Sequence, residues 1–480
     1  MKPETAFTGP ELCRLSAADA VALLKKGDVK PSELLEASLT RIEQVEAGIN
    51  AVVTVCAERA RESLADLDAR ARRNGGKPGW LGGLPIAIKD LNDVAGVRTT
   101  YGTKGFADHV PETSDPLVER LEDNGGIIVG KTNTPEFGAG GNTFNDVFGM
   151  TRNPWDTRKN AGGSSGGAAV SLAAGEVWLS HGSDLAGSLR TPAAYCGIVG
   201  LRTSPGRAGG GSVKAAFQNA GVQGPMARDI LDTALFLDAM AGYDPRQPLT
   251  IDAPAEPFQK AVREADARVR IAWAPTLGGF APVEAEIEQV MRAALEKAER
   301  NGARVEEACP DLPELEPTYV TLRALTWEAG PGRQPPHIQR HFKATLAENI
   351  EVGRNLTVDQ VVDAERNRTA LYHNCRRFLE SHDVLATAVV GLEPQAVEKE
   401  YPTEVAGEKM RTYVDWLKFS FLATATTLPA LSMPCGFTES GMPVGIQLIG
   451  PPRGEARLLA VARAIEDATG LAAITPIDPR

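Results

Sequence analysis

Gly83-Leu84-Pro85-Ile86-Ala87-Ile88-Lys89-Asp90 begins with a glycine that pairs with Gly82 and runs into five apolar residues. So short an apolar run, bounded by glycines, reads as a strand buried on both faces. Lys89 and Asp90 then emerge at its carboxyl end, where open α/β sheets place their chemistry. Downstream, Asp115-Pro116 starts a helix that Asn124-Gly125 stops, and Ile127 to Val129 continues as another buried strand. A Gly/Ser loop over Gly162 to Gly167 follows, with a small-residue helix from Ala168 to Ala174 and strands at Val177 to Ser180 and Ile198 to Leu201. The alternation resumes with a strand at Val269 to Ala274, a helix from Val283 to Arg300 ended by Asn301-Gly302, and a strand at Ala303 to Glu306. Pro310 to Pro336 reads as an irregular, substrate-shaping insertion, ahead of a long helix from Val358 to Leu379 and a strand at Val384 to Val390. Upstream, Ser16 with Asp19 resembles a capping box, and Pro31 opens a helix with Leu35, Leu39, Ile42 and Val45 on one face. Alternation of this kind predicts an α/β sandwich on a largely parallel or mixed sheet.

Composition narrows the function classes. The 480 residues are 42% hydrophobic and 24% charged, ordinary globular usage with ample material for a core. Length leaves the domain count open, but no linker demands a boundary and no tandem repeat stands out. A net charge of -11 with no basic block opposes binding to nucleic acid or anionic lipid. The six cysteines (Cys13, Cys56, Cys196, Cys309, Cys375 and Cys435) are scattered, without a C-x-x-C pair, and read as reduced thiols in a cytoplasm. Met1 to Arg14 lacks the pattern of an export signal, and no run of about 18 apolar residues occurs, so neither export nor membrane insertion is expected.

Two motif matches fail on context, and a third pattern is absent. Gly125 to Thr132 fits G-x-x-x-x-G-K-[ST], but its variable positions are themselves the predicted strand and Asn133-Thr134-Pro135 follows where a helix is needed. Gly125 is then a helix cap and Lys131 a strand end. Gly162-Gly163-Ser164-Ser165-Gly166 fits the esterase elbow G-x-S-x-G, yet Trp155 to Asn160 is polar and turn-like, so no strand delivers Ser164. No lysine completes an S-x-x-K. Among the six histidines, only His181 lies near a candidate serine, and it reads as a strand-end residue.

A serine hydrolase without a usable histidine needs another base, and a lysine serves if burial keeps it neutral. Lys89 suits that role, and two serines sit in glycine-rich settings: Ser164 in Gly162 to Gly167, and Ser188 in Ser183-Asp184-Leu185-Ala186-Gly187-Ser188-Leu189-Arg190. At these residues the chain resembles the amidase signature family. The resemblance extends over Gly83 to Asp90, Gly130-Lys131-Thr132-Asn133, Asn153-Pro154-Trp155, Gly182 to Leu201, Leu428 to Pro434 and Gly441 to Gln447, together spanning roughly Leu15 to Gly470. It implies an α/β/α sandwich with a large, mixed, twisted central sheet covered by helices. It also implies one amidase domain over 1–480, with an N-terminal helical layer at 10–75 and a signature core at about 80–205.

By the same resemblance Ser188 is the nucleophile, Ser164 the bridging serine after a cis peptide bond, and Lys89 the ultimate base. The backbone N–H groups of Leu185, Ala186, Gly187 and Ser188 would surround the oxyanion, each well-aimed donor contributing about 3 to 4 kcal/mol. Gly138, Gly140, Gly141 and Leu185 are implied at the substrate, and no metal or cofactor is required. Arg190 and Asp184 either tie the anion loop to the core or form an ordinary surface pair. Departures from the family pattern are Ser183 for threonine, Ala186 for glycine, and Arg202-Thr203-Ser204 for Lys-Pro-Thr. Tyr319, Trp327 and Trp416 are pocket candidates, with core packing the alternative. The implied activity is hydrolysis of small-molecule carboxamides by water, extending to carbamate (urethane), anilide or ester bonds, with no nucleic-acid or membrane partner and a homodimer left open. Two alternatives remain: the amidase subunit of glutamyl-tRNA amidotransferase, which works with partner proteins, and a non-catalytic binding protein on the same fold.

Overall fold

The computed structural model describes residues 3–210, 215–472 and 474–480. Its centre is an eleven-stranded sheet. In chain order the strands are β1 (Val52–Val55), β2 (Pro85–Lys89), β3 (Ile127–Thr132), β4 (Leu179–Asp184), β5 (Val199–Arg202), β6 (Val222–Ala227), β7 (Arg270–Trp273), β8 (Arg304–Glu307), β9 (Val384–Ala388), β10 (Ala430–Phe437) and β11 (Pro443–Ile449). Across the sheet they run β1-β3-β2-β4-β6-β5-β10-β11-β9-β7-β8. β3, β2 and β4 are parallel, as are β9, β7 and β8, while the pairings between these blocks are antiparallel. The sheet is therefore mixed, with helices packed around it, as the sequence alternation predicts.

Elements around β2 form for the predicted reasons. The Ser16 hydroxyl accepts from the Asp19 N–H at the start of the helix Ala17–Lys26, and Pro31 occupies the first turn of the helix Pro31–Ile49. Asp115 caps the helix Pro116–Asp123, and β3 follows directly as a fully buried strand. The phosphate-loop match thus lies in β3, which runs into an irregular Asn133-Thr134-Pro135 and no α-helix.

Three expectations need correction. The N-terminal helical layer is interrupted by β1, whose Val-Val-Thr-Val run favours an extended backbone and takes the edge of the sheet beside β3. The span Pro310 to Pro336 is largely ordered, because Leu315–Ala329 is a fifteen-residue helix. Pro317 lies in its first turn, where a missing N–H leaves no intrahelical bond unmade. Asp156–Asn160 is a strand, paired with Arg152–Asn153 in a two-stranded ribbon and hydrogen-bonded to Gln395 and Val397 as well, so its extended backbone comes from pairing.

The helix Gly166–Ala173 packs against β4 with all eight residues buried. Its glycines make the close approach possible: a Cβ on Gly167 would lie 2.3 Å from the Asn133 nitrogen and 2.6 Å from the Ala51 oxygen. Among the described residues, no helix is long and apolar enough to cross a membrane.

Candidate active site

Lys89 closes β2 and is wholly buried. Its Nζ lies 2.7 Å from Ser164 Oγ, 2.8 Å from Ser165 Oγ and 3.1 Å from Ser183 Oγ. Burial pulls its pKa down from 10.5 to about 7, against an opposing pull from the Asp184 carboxylate. The amine therefore exists in large part as a neutral base at neutral pH, which an exposed lysine does not.

Ser164 sits in the turn between the Asp156–Asn160 strand and the helix Gly166–Ala173, after a cis Gly163–Ser164 peptide bond. Thr143 holds this turn from both sides, donating its hydroxyl to the Gly162 carbonyl at 2.8 Å and accepting from the Gly166 N–H at 3.1 Å. A Cβ on Gly163 would meet the Gly140 oxygen at 2.9 Å. Ser165 ties the turn to β4: its hydroxyl donates to the Ser183 carbonyl at 3.2 Å and accepts from the Ser183 N–H at 3.3 Å. Ser165 and Ser183 thus share Lys89 with Ser164. The sequence alone gives neither of them a role, although both lie inside the glycine-rich motifs of Ser164 and Ser188.

Ser188 lies in the turn after β4 and is 6% exposed. Its backbone carbonyl accepts from the Ser165 N–H at 3.2 Å, so the Ser188 and Ser164 segments are directly joined. The loop after β4 is anchored by Asp184. That carboxylate accepts from the Gly187 and Leu189 N–H groups, each at 3.1 Å, and from Arg190 Nε at 3.0 Å and Nη2 at 2.8 Å. Arg202 Nη1 lies 3.3 Å from it. Burial alone would raise the Asp184 pKa, but the Arg190 guanidinium, aided by Arg202, holds it well below the usual carboxylate range. Burial lowers Arg202 to about 10, with Asp184 opposing. The Arg190–Asp184 pair is therefore a core anchor with both side chains fully buried, not a surface pair.

Gly187 departs from the expectation set for the loop, because its N–H is spent on Asp184 Oδ1. The N–H groups of Leu185, Ala186 and Ser188 meet no acceptor among the described residues. His181 is also placed differently: it stands within β4, buried, with Nε2 2.8 Å from Gln223 Oε1. Burial drives its pKa down to about 3, against the Gln223 hydrogen bond. It is a neutral core histidine.

Gly138 and Gly141 line this neighbourhood as well. A Cβ on Gly138 would sit 3.2 Å from Ser164 Oγ, and one on Gly141 would sit 2.2 Å from the Trp416 indole. Gly140 backs onto the Ser164 turn through its carbonyl, and the Leu185 side chain is half-buried near Gly221. Of the aromatic candidates, Tyr319 stacks on Phe421 with ring centroids 3.7 Å apart, and Trp327 packs with Ala139, Leu346 and Ile350. Tyr319 is core. Lys131 is structural: its Nζ lies 3.4 Å from Asp90 and donates to the Asn92 carbonyl at 2.7 Å and to Thr99 Oγ1 at 2.6 Å. Among the described residues no group of three or more His, Cys, Asp or Glu side chains is placed to hold a metal ion.

Comparison with known proteins gives this geometry a family. A family model described as Amidase matches residues 33–459. An acylamidase from Rhodococcus erythropolis is 34% identical over 475 residues, covering 96% of both chains. A glutamyl-tRNA(Gln) amidotransferase chain from Anaeromyxobacter dehalogenans, one subunit of that enzyme, is also 34% identical, covering 96% of this chain and 97% of that one. The crystal structure of a bacterial aryl acylamidase of the amidase signature family superposes with a TM-score of 0.87 at 27% identity, covering 96% of this chain and 97% of the other. That of 6-aminohexanoate cyclic dimer hydrolase in complex with substrate gives 0.85 at 25% identity, covering 97% and 99%. With its buried lysine, its two linked serine segments and matches spanning nearly the whole chain, this protein belongs to the amidase signature family, hydrolases of C–N bonds other than peptide bonds.

Proposed function

We propose that the chain is a free-standing amidase that cleaves small carboxamides through an acyl-enzyme on Ser188, with Ser164 and Lys89 relaying the proton. The observation that carries this reading is the wholly buried Lys89 amine 2.7 Å from Ser164 Oγ. Hydrogen-bond accounting supports the direction of the relay. A neutral amine has two N–H donors and one lone pair. The Ser165 hydroxyl already donates to the Ser183 carbonyl, so it can only accept from Lys89. If the second N–H goes to Ser183 Oγ, the lone pair is left for the Ser164 hydroxyl.

Attack then proceeds with balanced protons. Ser188 Oγ bonds to the carbonyl carbon and gives its proton to Ser164, which passes its own to Lys89. The developing oxyanion is received by the N–H groups of Leu185, Ala186 and Ser188, with Gly187 shaping the loop through Asp184. On collapse the C–N bond breaks, and the proton returns through Ser164 to the departing nitrogen, which would otherwise leave as a poor anion. Water hydrolyses the ester by the same route. Nothing in this chemistry calls for a metal or cofactor.

The substrates proposed are amides and anilides, with carbamates and esters within reach of the same acyl chemistry. The acylamidase and aryl acylamidase relatives support acyl amides first. One domain over 1–480 is supported by the single sheet that strands from both halves complete. Six unpaired cysteines support a reducing compartment such as the cytoplasm. Equal identity to the amidotransferase chain favours one second reading, in which the protein works within a larger assembly. The deciding experiment is a turnover screen of the purified chain against anilides, primary amides, carbamates and esters, with Ser188→Ala as blank. Turnover by the lone chain is expected. Activity that appears only with co-purified partners would move the assignment to the amidotransferase.

A further inference from the structure

We infer that Thr424, far outside the serine-bearing motifs, is a positioning residue that aims the Ala186 N–H at the reacting carbonyl; this rests on the acyl-enzyme reading above. Thr424 lies in the helix Phe421–Thr426, and its hydroxyl donates to the Leu185 carbonyl at 2.7 Å. Helical threonines ordinarily return the hydroxyl to the carbonyl four residues back, as Thr326, Thr369, Thr426 and Thr469 do here. Thr424 instead reaches out of its own helix to the anion loop.

The consequence follows from peptide geometry. In a trans peptide the C=O of one residue and the N–H of the next point in opposite directions. The only cis bonds among the described residues are Gly163–Ser164 and Thr475–Pro476, so the peptides from Asp184 to Ser188 are trans. Three carbonyls of the loop are each held by a buried donor: Asp184 by Arg202 Nη1 at 2.8 Å, Leu185 by Thr424 Oγ1 at 2.7 Å, and Gly187 by the Thr191 N–H at 2.7 Å. The N–H groups of Leu185, Ala186 and Ser188 are therefore turned away from those buried partners. They are the same three that meet no acceptor. The remaining peptide is reversed, with the Gly187 N–H turned back to Asp184.

Of the three anchors, Arg202 also pairs with Asp184 and Thr191 acts through its backbone, so only Thr424 can be removed without disturbing a charge. The test is Thr424→Val, which keeps the shape and removes the donor, beside Thr424→Ser, which keeps the donor. Val should lower kcat about 10- to 100-fold, a share of the 10²–10³ that a whole anion-hole donor provides, with KM changed by less than about threefold. Inhibition by phenylboronic acid, whose serine adduct is a tetrahedral anion, should weaken in parallel, while Ser restores both. If Val does not fold, Thr424→Ala carries the same expectation.

Unchanged kcat and unchanged boronate affinity in a folded Val or Ala variant would overturn the assignment, as would a Ser variant impaired as deeply as Val. Ser188→Ala reports on the underlying reading separately. Turnover that survives there removes the acyl-enzyme itself, whereas its loss beside an unimpaired Thr424→Val removes only the Thr424 role.

Discussion

Changing pH should distinguish Lys89 from every other base in the site. With a pKa of about 7 set by burial, the fraction of neutral amine is about 10% at pH 6 and about 90% at pH 8, so kcat/KM for an anilide should climb roughly tenfold across that interval and then level off. A solvated lysine near 10.5 would give about a hundredfold rise over the same interval and go on climbing. His181, held near 3, would give a flat profile. Folding should carry the same signature. Because Lys89 titrates lower in the folded chain than its usual 10.5, its contribution to stability is complete above pH 10.5, shrinks as pH falls and is gone below about 7. The difference amounts to roughly 5 kcal/mol. Urea unfolding of wild type and Lys89→Met at several pH values would show the wild type gaining on the variant as pH rises through that window. A rate profile flat from pH 5 to 9, or one still climbing at pH 10, would refute the neutral-lysine mechanism.

Ser188→Ala should abolish amide hydrolysis and labelling by a fluorophosphonate probe, Lys89→Ala should nearly abolish turnover, and Ser164→Ala should leave a small residue; full activity in Lys89→Ala would remove it as base. Arg190→Met should cost about 3 to 5 kcal/mol in denaturant unfolding, since it leaves the fully buried Asp184 short of its main partner. Gly167→Ala should destabilise the chain by at least about 2 kcal/mol, despite the roughly 1 kcal/mol that alanine gains in helix propensity, because its Cβ meets backbone that cannot rotate away.

The parallel half of the site was legible because β2 and β3 are short apolar runs with strong stops, and their buried ends place Lys89 where the pattern puts it. The serines were legible only in combination, since a glycine-rich turn by itself carries no direction. Four features lay beyond a one-dimensional reading. The ribbon at Asp156–Asn160 hides in polar residues whose strand character comes from pairing. The helix Leu315–Ala329 was masked by prolines that count against a helix only past its first turn. The loss of the Gly187 N–H to Asp184, and the arrival of Thr424 from a distant helix, are contacts between segments that no local pattern records.

Behind the loop that follows β4 a single carboxylate, Asp184, faces two guanidinium groups, Arg190 and Arg202, all three fully buried. Arg202, lowered only to about 10, stays protonated at neutral pH, and two guanidinium groups against one carboxylate leave this dry pocket with an excess of one positive unit. Such a field does not distinguish a fleeting tetrahedral oxygen from a finished acid. The carboxylate released at the end of each turnover should therefore linger, making acid products competitive inhibitors and favouring neutral substrates over cationic ones.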